Sequence, residues 1–176
     1  MGTDLWGAIA DGAAAESSIW GDALKPAADR VSEAVFSPLT EARYALGLET
    51  IYEGYLVHYG EPRLFAPADA DTALLLGDYL YAHGLVRVAE LEQVDAVADL
   101  SELISLCSQL RAENVAGDGP LWAATAALLG SGHALDDARA ELRLRGDASA
   151  LDAAARRERG DDAVGLALVA HAGRVR

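Results

Sequence analysis

The sequence predicts an all-α fold, and three observations carry that prediction. Alanine and leucine dominate a chain of 176 residues that is 52% hydrophobic and only 6% aromatic, and these are good helix formers. Apolar residues recur at three- and four-residue spacing, while strand-like alternation over five or more residues is absent. Short stretches holding Pro, Gly and Ser punctuate the periodic segments. The length is that of one ordinary domain, able to bury about 70% of its unfolded surface without disulfide or metal staples.

Residues 3–20 form a first, weakly amphipathic helix interrupted by Gly7 and Gly12. Lys25-Pro26 opens a helical segment to Phe36, with Ala27, Val31 and Val35 at helical spacing and proline at the favourable first position. Ser37-Pro38 punctuates, and the Ser37 hydroxyl is placed to cap a helix over 39–59 with Leu39, Ala42, Leu46, Ile51 and Tyr55 near one stripe. The loop from Gly60 to Pro67 holds two prolines. Asp69 or Asp71 then caps a long helix to about Glu92. Its stretch TALLLGDYLYAHGLVRVAEL is apolar nearly all round and reads as a buried central helix. A helix over 94–114 carries Val94, Val97, Leu100, Ile104, Cys107 and Leu110. Gly117-Asp118-Gly119-Pro120 is a turn, with Pro120 at a helix start. Helices follow over 121–130, 134–144, 148–158 and 161–173, the last with Asp161 and Asp162 at its N-terminus. The expected organisation is an N-terminal helical extension over 1–20 and a single helical domain over 21–176.

Bulk chemistry excludes several functions. A net charge of −14 and a sequence pI near 4.5 leave no basic face for nucleic acid. Arg156, Arg157 and Arg159 are interleaved with Asp152, Glu158, Asp161 and Asp162, as on a solvated helix face. The single cysteine, Cys107, lies in an apolar run and reads as a small buried hydrophobe. The first residues lack the basic start of a signal peptide, and no run of about 18 apolar residues offers a transmembrane segment. The expected location is cytoplasmic. His58, His83, His133 and His171 show no metal-ligand spacing, and no P-loop, G-x-S-x-G or G-x-G-x-x-G is present. In HALDDARAELRLR, Asp137 and Glu141 with Arg139 and Arg143 read as a surface ion network. Glu49 and Asp78 are carboxylates inside apolar helices and need partners, for which Tyr52, Tyr55 or an arginine such as Arg43 are candidates.

The segment from Leu48 to Arg63, LETIYEGYLVHYGEPR, resembles the first aspartate-rich helix of the trans-polyprenyl diphosphate synthases, whose pattern is E-L-I-H-x-x-S-L-I-H-D-D-x-x-D. Glu49, Leu56, Val57 and His58 stand where that pattern expects them, and the three aspartates fall on Tyr59, Gly60 and Arg63. Gly21 to Pro26 is similar to the family's G-K-R-L-R-P, with Asp22, Ala23 and Lys25 at the cationic positions; a substrate-binding histidine falls on Tyr52. ALLLGDYLYA over 73–82 resembles the family's A-x-L-A-G-D-x-L-L-A helix, including Gly77 and Asp78. SQLRAEN over 108–114 is similar to a glutamate-bearing helix end. Residues 120–126 match the family's K-T-A-x-L region without its lysine. The run from Gly165 fits the start of G-x-A-F-Q-x-x-D-D, its paired aspartates falling on Ala172 and Gly173. The likeness spans about residues 20–173, roughly the first two-thirds of a full synthase.

The resemblance implies an isoprenoid-synthase-like helical bundle, C-terminally truncated, in which the diphosphate chemistry has gone. Magnesium needs several oxygen ligands to hold and ionise a diphosphate, and Tyr59, Gly60 and Arg63 supply none. No cofactor is expected, and magnesium only for a non-canonical activity. The implied role is a non-catalytic interaction or regulatory small subunit in a homo- or hetero-oligomer, possible company being a full-length prenyl diphosphate synthase. Its contact residues would be Leu76, Tyr79, Leu80, His83 and Val86. The alternative is an isoprenoid- or lipid-binding protein, or a non-canonical prenyltransferase, using a remnant apolar cavity lined by Tyr52, Tyr55, Tyr59 and Phe65.

Overall fold

The computed structural model describes residues 4–176 and contains α-helices, 3₁₀ turns and no strand among them. The helices are α1 (Leu5–Glu16), α2 (Ser18–Asp22), α3 (Ala45–Tyr59), α4 (Ala70–Ala89), α5 (Val94–Glu113), α6 (Asp118–Ala127), α7 (Asp136–Arg145), α8 (Ser149–Arg159) and α9 (Asp161–Ala172). The all-α expectation therefore holds. The expected start of the first helix at residue 3 lies outside the described residues.

Local chemistry sets most boundaries. Asp4 caps α1 by accepting from the Trp6 and Gly7 amides at 3.2 and 3.1 Å. The first helix breaks at Ser17, whose hydroxyl caps α2, and not at Gly7 or Gly12. Of the two cap candidates for α4, Asp69 does the capping, accepting from Thr72 N–H at 2.7 Å. Asn114, with φ 53°, ends α5, and Gly146, with φ 68°, ends α7, both in the left-handed conformation common after a helix. Ser37 makes no side-chain cap bond.

Three helix expectations fail. The helix expected from residue 39 begins only at Ala45, after two 3₁₀ turns. Residues 25–36 are not a helix: only a 3₁₀ turn at Ala27–Asp29 forms. The backbone of this stretch bonds elsewhere, Lys25 N–H to Leu64 C=O at 2.9 Å and Val31 N–H to Arg63 C=O at 3.1 Å. Nor is α4 the buried centre, since Leu74, Leu75 and Val86 are each more than half exposed. The enclosed helix is α3, whose residues from Gly47 to Leu56 are all buried.

α3 is enclosed because α4 lies directly on it. Gly47 faces Gly84 and Gly54 faces Gly77, two antiparallel contacts one heptad apart. A Cβ on Gly84 would sit 2.8 Å from the Gly47 carbonyl oxygen, and one on Gly54 would sit 2.9 Å from the Gly77 carbonyl oxygen. Small residues here let two helix backbones touch. The surrounding core comprises a main cluster containing Leu48, Ile51, Tyr52, Leu103, Leu106 and Trp122. A second cluster, in which Ile9 and Ala13 of α1 meet Leu64, Phe65, Leu76 and Leu80, joins the first helix to α4.

Long segments without α-helix, on either side of α3, are held by a buried ion cluster. Arg63 has no exposed surface; its Nε donates to Glu53 at 2.9 Å and its Nη1 to Glu49 at 2.6 Å. Nη1 also donates to the Glu33 carbonyl at 2.8 Å. Glu49 in turn accepts from the Val35 and Ser37 amides, and Glu53 from the Leu64 amide at 2.7 Å. Arg63 is thus a structural centre. It is also the partner of Glu49, an arginine as one of the expected alternatives had it, but not Arg43, which pairs with Glu41 on the surface. Burial opposes the Arg63 charge, but the two carboxylates outweigh it and hold its pKa above the ordinary value.

The expected surface network on α7 is also rearranged. Arg139 is buried and pairs across to Asp99 of α5 at 3.0 Å, and Arg143 reaches Glu102. Only Arg145 pairs along the helix, with Glu141 at 3.1 Å.

Two measurements test this account. Replacing Gly84 by valine forces Cβ and its methyls into Ile51 and the α3 backbone, and should lower unfolding free energy by about 2–3 kcal/mol. Gly165→Ala, at a helical position with nothing within 4 Å, should raise it by about 0.5–1 kcal/mol. Urea unfolding followed by circular dichroism reads both. By the same assay, Arg63→Met leaves two buried carboxylates unpaired and should cost about 3–5 kcal/mol; a loss below 1 kcal/mol would contradict the anchoring role.

Candidate functional site

A polar cluster lies at the opposite end of α3 from its N-terminus, where four helices converge. α3 contributes Tyr52, Tyr55 and Tyr59, which share a face at helical spacing. α5 contributes Arg111 from its last turn, α6 Asp118 from its first residue, and α9 His171 from its last turn. Asp118 stands at the positive end of the α6 dipole, a favourable place for a carboxylate.

Asp118 is the hub. It accepts from Tyr55 O–H, from Arg111 Nη2 at 2.6 Å and from His171 Nε2 at 3.2 Å. The far side of the His171 ring meets the Tyr52 hydroxyl, 3.0 Å from Nδ1. Both contacts are satisfied when the proton sits on Nε2 and Nδ1 accepts from Tyr52. Burial above all pushes the Tyr52 and Tyr55 hydroxyls well above the usual tyrosine range, so both stay protonated and donate. Burial works against the Asp118 charge, yet the hydrogen bonds from His171 and Tyr55 and the neighbouring positive charges hold its pKa well below the usual carboxylate value. Aromatic rings pack the cluster: Phe36 stacks on Trp122 at 5.5 Å and Tyr55 on His171 at 5.9 Å, and the Arg111 guanidinium lies 5.5 Å from the Tyr55 ring centroid.

A hydroxyl, an imidazole and a carboxylate in sequence suggest proton transfer, but access decides otherwise. Tyr52 has no exposed surface and His171 is 3% exposed, so no substrate reaches that hydroxyl. The network fastens α3, α5, α6 and α9 to one another. Its accessible members are Tyr59, Arg111 and Asp118, which between them border two clefts. One, of about 550 Å³, is lined by His58, Tyr59, Gly60, Ser108, Arg111 and Arg176 among others. The other, of about 280 Å³, is lined by Arg111, Asp118 and Val175 among others.

The residues singled out from sequence divide between these places. Tyr59 and Gly60 meet the segment after Ala172 and Gly173: Arg176 N–H donates to Tyr59 C=O at 3.0 Å, and Gly60 forms an isolated antiparallel bridge with Val175. Residues 59–60 and 174–176 are therefore neighbours, while Arg63 sits in its own ion cluster, 5.0 Å from the Tyr52 ring centroid. His58 pairs with Asp78 at 3.2 Å and its ring lies over Gly77; the Asp78 side chain is 65% exposed, so, against expectation, it does not depend on a partner. Burial lowers the His58 pKa, Asp78 partly restoring it. Among the described residues, no three histidine, cysteine or carboxylate side chains converge as metal ligands.

Two sets of expected site residues need correction. Tyr52, Tyr55 and Phe65 are fully buried and packed against neighbours, so they form core and not a cavity wall; of the proposed four, Tyr59 does line a cleft. Leu76 and Leu80 are fully buried against α1 and the 64–65 segment, so they are not surface contacts. Tyr79 and His83 stack on each other at 5.3 Å, Tyr79 also on Trp20 at 5.7 Å, half-covered by the N-terminal helices. Val86 is 53% exposed. Arg111 and Asp118 were missed altogether, because no local spacing links an α5 terminus to an α6 first residue.

Comparison with protein-family models, with curated proteins and with solved structures gives no match for this chain. No helix among the described residues is long and apolar enough to cross a membrane.

The depressed Asp118 pKa fixes the sign of a pH effect. Its stabilisation is fully present above the unfolded aspartate value of about 3.9 and is lost as pH falls through the folded value. Asp118→Asn should therefore be less stable than the parent at neutral pH, and the gap should narrow between about pH 4.5 and pH 2.5. Urea midpoints across that range provide the check; a constant gap would refute the linkage.

Proposed function

We propose that this chain is a non-catalytic, cytoplasmic helical protein that works by contact, as a small regulatory subunit of a prenyl diphosphate synthase. One observation carries the non-catalytic part. Each position where the resemblance expects a metal-binding carboxylate of the first motif has a structural occupation. Arg63 is wholly buried between Glu49 and Glu53, and the backbones of Tyr59 and Gly60 are tied to Arg176 and Val175. Ala172 and Gly173, at the second motif, offer no side-chain oxygen. Without several oxygen ligands, a magnesium-diphosphate cannot be held or ionised.

The contact part is supported by α4. This helix buries one side on α3 and leaves Leu74, Leu75 and Val86 exposed at 56%, 60% and 53%. Large apolar side chains grouped on one helix are a feature of binding faces. The contact surface proposed is thus the outer face of α4, with Val86 retained from the sequence expectation.

Co-expression with a full-length prenyl diphosphate synthase from the same genome should give one complex by size-exclusion chromatography with light scattering. Leu75→Glu/Val86→Glu should abolish that complex without changing the melting temperature by more than about 3 °C, since both sites are exposed. Two separate species from the parent chains would remove the subunit reading. Prenyl transfer by the chain alone, lost on adding EDTA, would remove the non-catalytic one.

A further inference from the structure

The two clefts beside Arg111 are separated by the segment that follows α9. Arg111 and Asn114 line both, while Arg176 borders the larger and Val175 the smaller. Residues 174–176 leave the turn that ends α9, where the Arg174 and Val175 amides donate to His171 C=O at 2.9 and 3.2 Å, and cross this place. They are held by backbone pairing, Glu61 N–H to Arg174 C=O at 2.8 Å and Arg176 N–H to Tyr59 C=O at 3.0 Å. Arg111 Nη1 donates to the Arg176 carbonyl at 2.7 Å. The flanking side chains pair with acidic residues on the rim, Arg174 with Glu33 and Arg176 with Glu61 at 3.3 Å. Val175 between them rests on the main core.

The side-chain ion pairs add little to the hold on this strap. Its two ion pairs involve exposed carboxylates, with the Glu33 and Glu61 side chains 53% and 67% exposed, and exposed pairs contribute little. When the strap lifts, Tyr59 C=O, Glu61 N–H and one Arg111 N–H lose their partners together. These groups form a short edge able to pair with any extended backbone, the mode in which a peptide adds to an exposed edge. The rim selects by charge: Glu33 and Glu61 favour basic side chains at alternate positions, and a protein of net charge −14 draws a basic segment towards it.

We propose that Tyr59–Glu61, with Arg111, is a docking groove for an extended arginine–apolar–arginine segment of a partner protein, occupied in cis by residues 174–176. The inference stands apart from the synthase-subunit reading and needs no synthase.

The probe is a fluorescein-labelled Gly-Arg-Val-Arg peptide read by fluorescence anisotropy. The full chain carrying R174E/R176E repels its own strap from Glu33 and Glu61, and should bind the peptide at least tenfold more tightly than the parent. A Gly-Glu-Val-Glu peptide should bind neither. Equal binding to parent and variant, no binding to the variant, or equal binding of the acidic peptide would each overturn the proposal. Hydrogen exchange on the unaltered chain tests it without any variant: the Glu61 and Arg176 amides should exchange far faster than those of Tyr52 and Tyr55 in the α3 core. Exchange as slow as the core would mean that the strap does not open, and would also overturn it.

Discussion

The buried pairing of Arg63 with Glu49 and Glu53 is the interaction on which the rest of the structure depends. Three ionised side chains without solvent are costly unless every charge is matched by a partner or hydrogen bond. Here the matching reaches outward into backbone: Glu33 carbonyl, and the amides of Val35, Ser37 and Leu64. Residues 23–44 and 60–69 contain no α-helix, so much of their backbone must find hydrogen bonds elsewhere. The ion cluster provides them and fixes both segments against α3. Trp6 of α1 closes the arrangement, the Arg63 guanidinium lying 4.7 Å from its ring centroid.

A second constraint acts along α3. The Gly47–Gly84 and Gly54–Gly77 contacts bring α4 to backbone distance, so one side of α3 is shut against a helix and the other against α5, α6 and α9. This leaves α3 with two tasks: Glu49 and Glu53 meet Arg63, while Tyr52, Tyr55 and Tyr59, interleaved with them along the helix, face the Asp118 cluster. The strap over 174–176 joins these regions, since Arg174 reaches Glu33 near the ion cluster while Arg176 reaches Arg111 near the hub.

Much of the helical layout was legible. α4 to α9 fall within a few residues of their expected spans because periodicity, Asp69, Pro120, Gly146 and Gly160 act locally. Residues 25–36 were misread because Ala27, Val31 and Val35 keep helical spacing while their backbone is recruited by residues far along the chain. The candidate site was less legible. Tyr52 and Tyr55 stood out as aromatics on one helix face, but as expected cavity residues, and the structure packs them solid. Arg111, Asp118 and His171 carried no signal, since Asp118 meets Tyr55 and His171 across separations of 63 and 53 residues.

By itself, the sequence determined the all-α class, most helix boundaries and the need of Glu49 for a partner, whereas Asp78 is exposed and has no such need. Those properties follow from backbone propensity, apolar spacing and the cost of burying a lone charge, all of which act within a few residues. The tertiary structure alone decided which arginine answers Glu49, which helix is enclosed, and which tyrosine faces a cleft. Each of those depends on residues brought together from distant parts of the chain, and close packing admits only one such arrangement.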